Sequence, residues 1–398
     1  MSYDFDRLID RRHTDSDKWC FYGDEVLPMW VADMDFLSPE PVIRALRERV
    51  EHGVFGYGID QPELRKVIVD RLECLYGWHV PHEALVFVPG VITGLNLACR
   101  AVTSPGDGML VQTPAYPPIL RLSANGALAR NEMELTRQPD GYYTIDFAAL
   151  EGTITDRTRV FILCNPHNPV GRAFGRQELE RMAEICLRHN IVICSDEIHC
   201  DLLFRGTRHT PIASLDAEIA DRTVTLIAPS KTFNIAGLHC SVAVIPNADL
   251  RTKFKAVRAD IVPDVNILGY VAALAAYREG QAWLDELLTY LEGNRDLLIR
   301  YVDEHLPGVC MGKPEATYLA WLDCRQAGIP GNPHQFFLQQ AKVAVNDGKA
   351  FGRGGEGFVR LNFGCPRSML LEALDKMRAA MTADQAGVEA FARVSRVA

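Results

Sequence analysis

The sequence predicts an α/β fold built on a mostly parallel sheet. Two observations carry this. Short apolar runs without alternation recur, as expected of strands buried on both faces, and helix-spaced segments separate them. A third observation is a change of character near residue 283, where a long charged helical stretch leads into two further strands.

The elements follow in order. Leu85-Val86-Phe87-Val88 reads as a strand, Pro89-Gly90 ends it, and a helix opens near Val91. Ser104-Pro105-Gly106-Asp107 is a turn signal ahead of Met109-Leu110-Val111. Residues 160–163, 191–194, 224–227 and 242–245 are further apolar runs. Leu179, Met182, Ala183, Cys186 and Leu187 repeat at the spacing of one helix face. The helical stretch 283–305 precedes a strand over 317–322, and a second strand, 358–363, follows a Gly-rich turn. That turn, 352–357, lacks the strand before and helix after that a dinucleotide loop requires. The chain shows no repeat, low-complexity tract or long linker.

Bulk properties narrow the function classes. The chain has 398 residues, 48% of them hydrophobic, enough for a large core and two or three domains by length. The net charge of −9 and the absence of a basic run argue against a nucleic-acid surface. Eleven cysteines are scattered singly with no C-x-x-C pair, which fits reduced thiols rather than a zinc ribbon or redox motif. The opening Met1-Ser2-Tyr3-Asp4-Phe5-Asp6-Arg7 is polar and unlike a secretory signal, and no apolar run approaches the roughly 18 residues of a membrane span. A soluble cytoplasmic protein is expected, with no metal, membrane or nucleic-acid partner.

Three polar features each sit at or after an inferred strand: Asn165-Pro166-His167-Asn168-Pro169-Val170-Gly171, Ser195-Asp196-Glu197-Ile198-His199, and Ala228-Pro229-Ser230-Lys231-Thr232-Phe233-Asn234. Open α/β sheets bind ligands outside the carboxyl ends of their strands. An amide, a carboxylate and a lysine converging there suit an aromatic cofactor with a phenolic oxygen, a ring nitrogen and an aldehyde.

With these motifs in order, and with Tyr57-Gly58 ahead of Glu63-Leu64-Arg65 and the stretch from Pro105-Gly106-Asp107 to Pro114-Ala115-Tyr116, the chain resembles the fold-type I pyridoxal-5′-phosphate (PLP) family over nearly its whole length. The resemblance implies a large PLP-binding domain (49–282) with a mostly parallel seven-stranded sheet between helices. It also implies a smaller α+β domain built from an N-terminal segment (1–48) and the C-terminal part (283–398).

The resemblance also implies roles. Lys231 is the Schiff-base lysine, Asp196 the partner of the pyridinium nitrogen, and Asn168 the amide on the phenolic oxygen. Tyr116 stacks on the cofactor ring. The N–H groups of Val91 and Ile92, with Ser230, receive the phosphate. Tyr57 reaches the phosphate of a neighbouring subunit, which implies a homodimer with shared sites. Arg360 clamps the substrate carboxylate. A separate argument supports it, because in its strand Val359, Leu361 and Phe363 share one face while Arg360 lies on the other with Phe358 and Asn362. Ala32 lies opposite and offers its N–H, and Trp30 helps shape the substrate pocket.

Finer likeness points to the reaction. Leu27-Pro28-Met29-Trp30-Val31-Ala32-Asp33-Met34-Asp35-Phe36, His167, Asp196-Glu197-Ile198-His199 and Arg360-Leu361-Asn362-Phe363-Gly364-Cys365-Pro366 are similar to the cystathionine β-lyase (MalY/PatB-type) C–S lyases. Aminotransferases usually carry tyrosine at the position of His199 and a phosphate-binding arginine at that of His239. An imidazole carries charge only in mildly acidic solution, so phosphate affinity is expected to fall at high pH. The expected activity is β-elimination from L-cystathionine or a related thioether, with Lys231 as the base at the α-carbon. Transamination is the alternative, and a regulatory PLP-fold protein without turnover is a third.

Overall fold

The computed structural model describes residues 3–395; Met1 and Ser2, which open the N-terminal stretch read above, lie outside them. Seven strands make the central sheet: β1 (Leu85–Val88), β2 (Gly108–Thr113), β3 (Ala129–Glu134), β4 (Thr158–Cys164), β5 (Val192–Asp196), β6 (Thr223–Ile227) and β7 (Ser241–Val244). Their order is β1-β7-β6-β5-β4-β2-β3. The pairs β2–β3, β2–β4, β4–β5 and β5–β6 are parallel, whereas β7 runs against both neighbours. The mostly parallel sheet is therefore as the sequence predicts.

The reason lies in β4. Val160, Ile162 and Cys164 pack with Leu95 and Ala98 of α1 (Val91–Val102), while Phe161 and Leu163 pack with Leu179, Met182 and Cys186 of α2 (Arg176–Arg188). Alternate residues enter opposite cores, so every position from Val160 to Cys164 must be apolar. Each large side chain so buried contributes about 1.5–3 kcal/mol. Within this sheet, the strand the sequence reading lacks is β3, Ala-Arg-Asn-Glu-Met-Glu. It is an edge strand with Met133 as its single buried side chain. Its charges suit an exposed edge and erase the apolar signal.

Gly94 sets the approach of α1 to the sheet. A Cβ there would lie 2.4 Å from Leu226 Cδ2. The absence of a side chain lets the first turn of α1 lie close against β6, the strand that leads to Lys231.

After α3 (Gln281–His305), a second sheet forms from β8 (Cys310–Met311), β9 (Leu319–Asp323), β10 (Asn346–Asp347) and β11 (Phe358–Asn362), antiparallel in the order β8-β9-β11-β10. The two faces read from the sequence for β11 hold. Val359, Leu361 and Phe363 enter one core, and Phe358 joins Trp321 in another. Leu27–Pro28 pairs in parallel with Val343–Ala344, which draws the following strap, residues 29–36, towards the strand ends of the large sheet. Among the described residues no helix is long and apolar enough to cross a membrane.

The strap is anchored by a buried charge cluster. Lys18 Nζ lies 2.5 Å from Asp35 Oδ2, with the two side chains 0% and 3% exposed. Arg11 Nη1 lies 2.6 Å from Asp35 Oδ1, and Trp19 Nε1 donates to the same oxygen at 2.8 Å. Burial alone would raise the Asp35 pKa, but Lys18 and Arg11 hold it below the usual carboxylate range. The stabilisation is complete above the unfolded pKa of about 4. It is lost only as pH falls through the lowered folded value. Lys18→Met is expected to destabilise the protein by about 3 kcal/mol, because it leaves a buried carboxylate with half its counter-charge. A guanidinium unfolding midpoint equal to that of the wild type would show that Arg11 alone suffices.

Candidate active site

A cavity of about 310 Å³ opens at the carboxyl ends of β4, β5 and β6. The register places Cys164 beside Asp196 and Asp196 beside Leu226. The three polar features therefore emerge side by side. Asn168, Asp196, His199, Ser230 and Lys231 all line the cavity, together with Ala32, Val91, Ile92, Tyr116 and His239.

Two adjacent acids have different roles. Glu197 accepts from Ser195 Oγ at 2.8 Å and faces His209 Nε2 at 2.8 Å, so its charge is used inside the fold. Asp196 makes no salt bridge among the described residues and faces the cavity. Burial pushes its pKa up to about 7, against a weak pull from the Ile198 N–H and the charge of Lys231. It is a carboxylate in want of a cation.

Burial pushes the pKa of Lys231 down to about 8; Asp33 and Asp196 oppose the shift and Arg360 adds to it. Its Nζ donates to the Ala32 carbonyl at 2.7 Å. Tyr318 Oη donates to the same oxygen at 2.9 Å. The strap thus presents a carbonyl to the lysine. The Ala32 N–H makes no hydrogen bond among the described residues and remains free. Tyr318 follows Thr317, whose φ of +72° is left-handed, an unusual conformation for a β-branched residue.

Arg360 is buried, yet no carboxylate pairs with it among the described residues. Nη1 donates to Asn168 Oδ1 at 3.0 Å, and Nη2 donates to the Trp30 carbonyl at 3.0 Å and to Asn346 Oδ1 at 2.7 Å. The Phe351 ring lies 5.1 Å from the guanidinium carbon, and Nε has no partner among the described residues. Burial pushes the Arg360 pKa down to about 10. An unmatched buried cation of this kind suits an anionic ligand.

His199 is also buried, and its Nδ1 has no partner among the described residues. Burial, then Lys231 and Arg360, push its pKa down to about 3, so the ring is neutral. His239 lies exposed at the cavity rim, its ring without a hydrogen bond among the described residues. His167 contacts the Pro114 carbonyl at 2.8 Å and the Cys164 carbonyl at 3.2 Å, so it joins the Asn168 loop to the loop before Tyr116. Tyr57 is fully exposed, outside the cavity of its own chain. Sequence reasoning missed Tyr318 and Asn346. The first sits in an apolar run that reads as core, and the second carries no motif. Thr93 and Ser241 also line the cavity and were missed.

The arrangement fits pyridoxal 5′-phosphate. Asp196 suits the ring nitrogen, Lys231 the aldehyde and Tyr116 the ring face. Asn168 has Nδ2 left to donate to the phenolic oxygen once Oδ1 accepts from Arg360. The first N–H groups of α1, at Val91 and Ile92, lack intrahelical partners and suit the phosphate. The unpaired Nδ1 of His199 and Nε of Arg360 mark a polar ligand site rather than an apolar void.

Comparison with known proteins agrees. Residues 24–377 match the family model described as aminotransferase class I and II. The cystathionine β-lyase PatB of Bacillus subtilis is 42% identical over 390 residues, covering 95% of this chain and 100% of that protein. The crystal structure of OvoB superimposes with a TM-score of 0.91 at 44% identity, covering 96% and 99% of the two chains. Cystalysin from Treponema denticola, solved with pyridoxal 5′-phosphate, gives a TM-score of 0.92 at 34% identity over 96% and 100%. The chain belongs to the aminotransferase class I and II family, with cystathionine β-lyases among its relatives.

Proposed function

We propose that this protein is a PLP-dependent carbon–sulfur β-lyase that cleaves L-cystathionine or a related cysteine thioether to a thiol (homocysteine from cystathionine), pyruvate and ammonia. The observation that carries the substrate class is Arg360, a buried guanidinium with no acid partner among the described residues, joined through Asn168 to the cavity that holds Lys231. The full-length similarity to a cystathionine β-lyase supports elimination over other reactions of the family. When bound, pyridoxal 5′-phosphate supplies an electron sink for the carbanion at the α-carbon. Asp196 keeps the ring nitrogen protonated. Arg360 and the Ala32 N–H hold the substrate carboxylate, and the Lys231 amine takes the α-proton. His199, held neutral, adds no positive charge to the site beside Lys231 and Arg360.

The reading extends to a homodimer. Val54, Phe55, Tyr57 and Ile59 form an exposed apolar stretch, which supports a second copy that receives Tyr57 at its phosphate site. The division into segments 1–48, 49–282 and 283–398 is part of the same reading, supported by the pairing of Leu27–Pro28 with Val343–Ala344. Eleven unpaired thiols support a cytoplasmic setting. The second reading is transamination, which the family itself favours. Incubation of the PLP-loaded protein with L-cystathionine separates the two. Pyruvate and free thiol without added keto acid are expected, and strict dependence on a keto acid would overturn the lyase reading.

A further inference from the structure

The strap between residues 31 and 36 is held from both sides by two asparagines that follow the two key cations in sequence. Asn234, three residues after Lys231, donates from Nδ2 to the carbonyls of Met34 and Phe36, each at 2.9 Å. Its Oδ1 accepts the Met34 N–H at 3.0 Å. Asn362, two residues after Arg360, donates from Nδ2 to the carbonyls of Val31 and Asp33, each at 2.6 Å. Its Oδ1 accepts the Gly364 N–H at 2.7 Å. The carbonyls of residues 31, 33, 34 and 36 are therefore occupied by these two side chains. The Ala32 carbonyl, between them, turns the other way and meets Lys231 Nζ at 2.7 Å.

We propose that Asn234 and Asn362 are positioning residues that hold the Ala32 carbonyl on the Lys231 amine, so that the strap joins the lysine turn to the arginine strand. Three features argue for this over simple anchoring of the N-terminal segment. Anchoring is already supplied by the Lys18–Asp35 pair. Asn234 holds a left-handed backbone, φ +55°, which an asparagine tolerates better than most side chains. That conformation directs the amide at the strap rather than along its own turn. Tyr318 Oη also bonds the Ala32 carbonyl, so the oxygen that meets the lysine is fixed from the side as well.

A carbonyl acceptor favours a charged amine over a neutral one. Its loss is expected to lower the apparent pKa of Lys231 by about one unit. The other charges facing the amine are Asp33, Asp196 and Arg360, and Asp33 lies on the strap itself. Misplacement of the amine by about 1 Å is expected to slow proton transfer by about 10²-fold.

The inference rests on the PLP reading, and its test separates the two. Asn234→Gly keeps the left-handed backbone without strain and removes the three side-chain bonds. Apo protein is reloaded with pyridoxal 5′-phosphate alone across a pH series, and absorbance reports the rate at which the neutral amine joins the cofactor. The midpoint is expected to fall by about one pH unit in Asn234→Gly relative to wild type. A midpoint within about 0.2 unit of wild type would overturn the proposal, whatever the activity. Exchange of the amino-acid α-hydrogen with deuterated water is expected to slow by about 10²-fold, and this holds for a lyase and an aminotransferase alike. If Asn234→Gly does not fold, Asn362→Ala carries the same two measurements from the other end of the strap. A wild-type protein that never takes up the cofactor would refute the PLP reading instead.

Discussion

Lys231→Ala is expected to reduce pyruvate release from L-cystathionine by at least about 10⁴-fold, the upper range for a positioned general base, since the covalent link to the cofactor is lost as well. The protein should still fold and retain the cofactor weakly, because the phosphate N–H groups, Asp196 and Asn168 are untouched. Absorbance should therefore show free rather than protein-linked aldehyde. The pH behaviour of the wild type follows from the same residue. The neutral amine is the reactive form, and burial brings its pKa down to about 8. Reloading of apo protein should therefore accelerate with rising pH and level off above about pH 8. A lysine of ordinary pKa would keep accelerating to above pH 10. Residual turnover of Lys231→Ala within about tenfold of wild type would remove Lys231 from the chemistry altogether.

Arg360→Leu is expected to cost about 2–5 kcal/mol in kcat/KM, roughly 30- to 5,000-fold, the range for loss of one partner of a buried charge pair. The argument is electrostatic. The guanidinium is buried, holds three neutral acceptors and has no counter-ion among the described residues. On the proposed reading, a substrate carboxylate would supply the missing charge in a site too dry to screen it. Arg360→Lys should fall between the two, because an ammonium keeps the charge and loses the planar fork. An amine that lacks the carboxylate should react equally slowly with wild type and Arg360→Leu. If the substitution slows that amine as much as the amino acid, Arg360 is holding the fold rather than the substrate.

The parts of this protein legible in the sequence are those whose signal is local. Strands such as β4 show as unbroken apolar runs because both of their faces are covered. Asp196 and Lys231 stand out because a charge beside such a run needs a reason. The edge strand β3 was illegible, since solvent lets it carry Arg130, Glu132 and Glu134. Tyr318 hid in an apolar run, and its hydroxyl was recognisable only from its bond to Ala32. The asparagine contacts to the strap span 200 residues from Met34 to Asn234 and 331 from Val31 to Asn362. No local pattern encodes them. His167 was legible as a mark of family likeness, but its two contacts to backbone carbonyls, at Cys164 and Pro114, were not.

Those long spans also set a timetable for synthesis. The strap leaves the ribosome 331 residues ahead of Asn362. At about 5–20 residues per second, residues 31–36 wait on the order of 15–65 s for their last partner. Until then Asn234 can hold the strap at Met34 and Phe36, while the carbonyls of Val31 and Asp33 wait for Asn362. Completion of the active site therefore waits on the late strand β11, and a chain truncated before residue 358 would lack the strand that locks the strap in place.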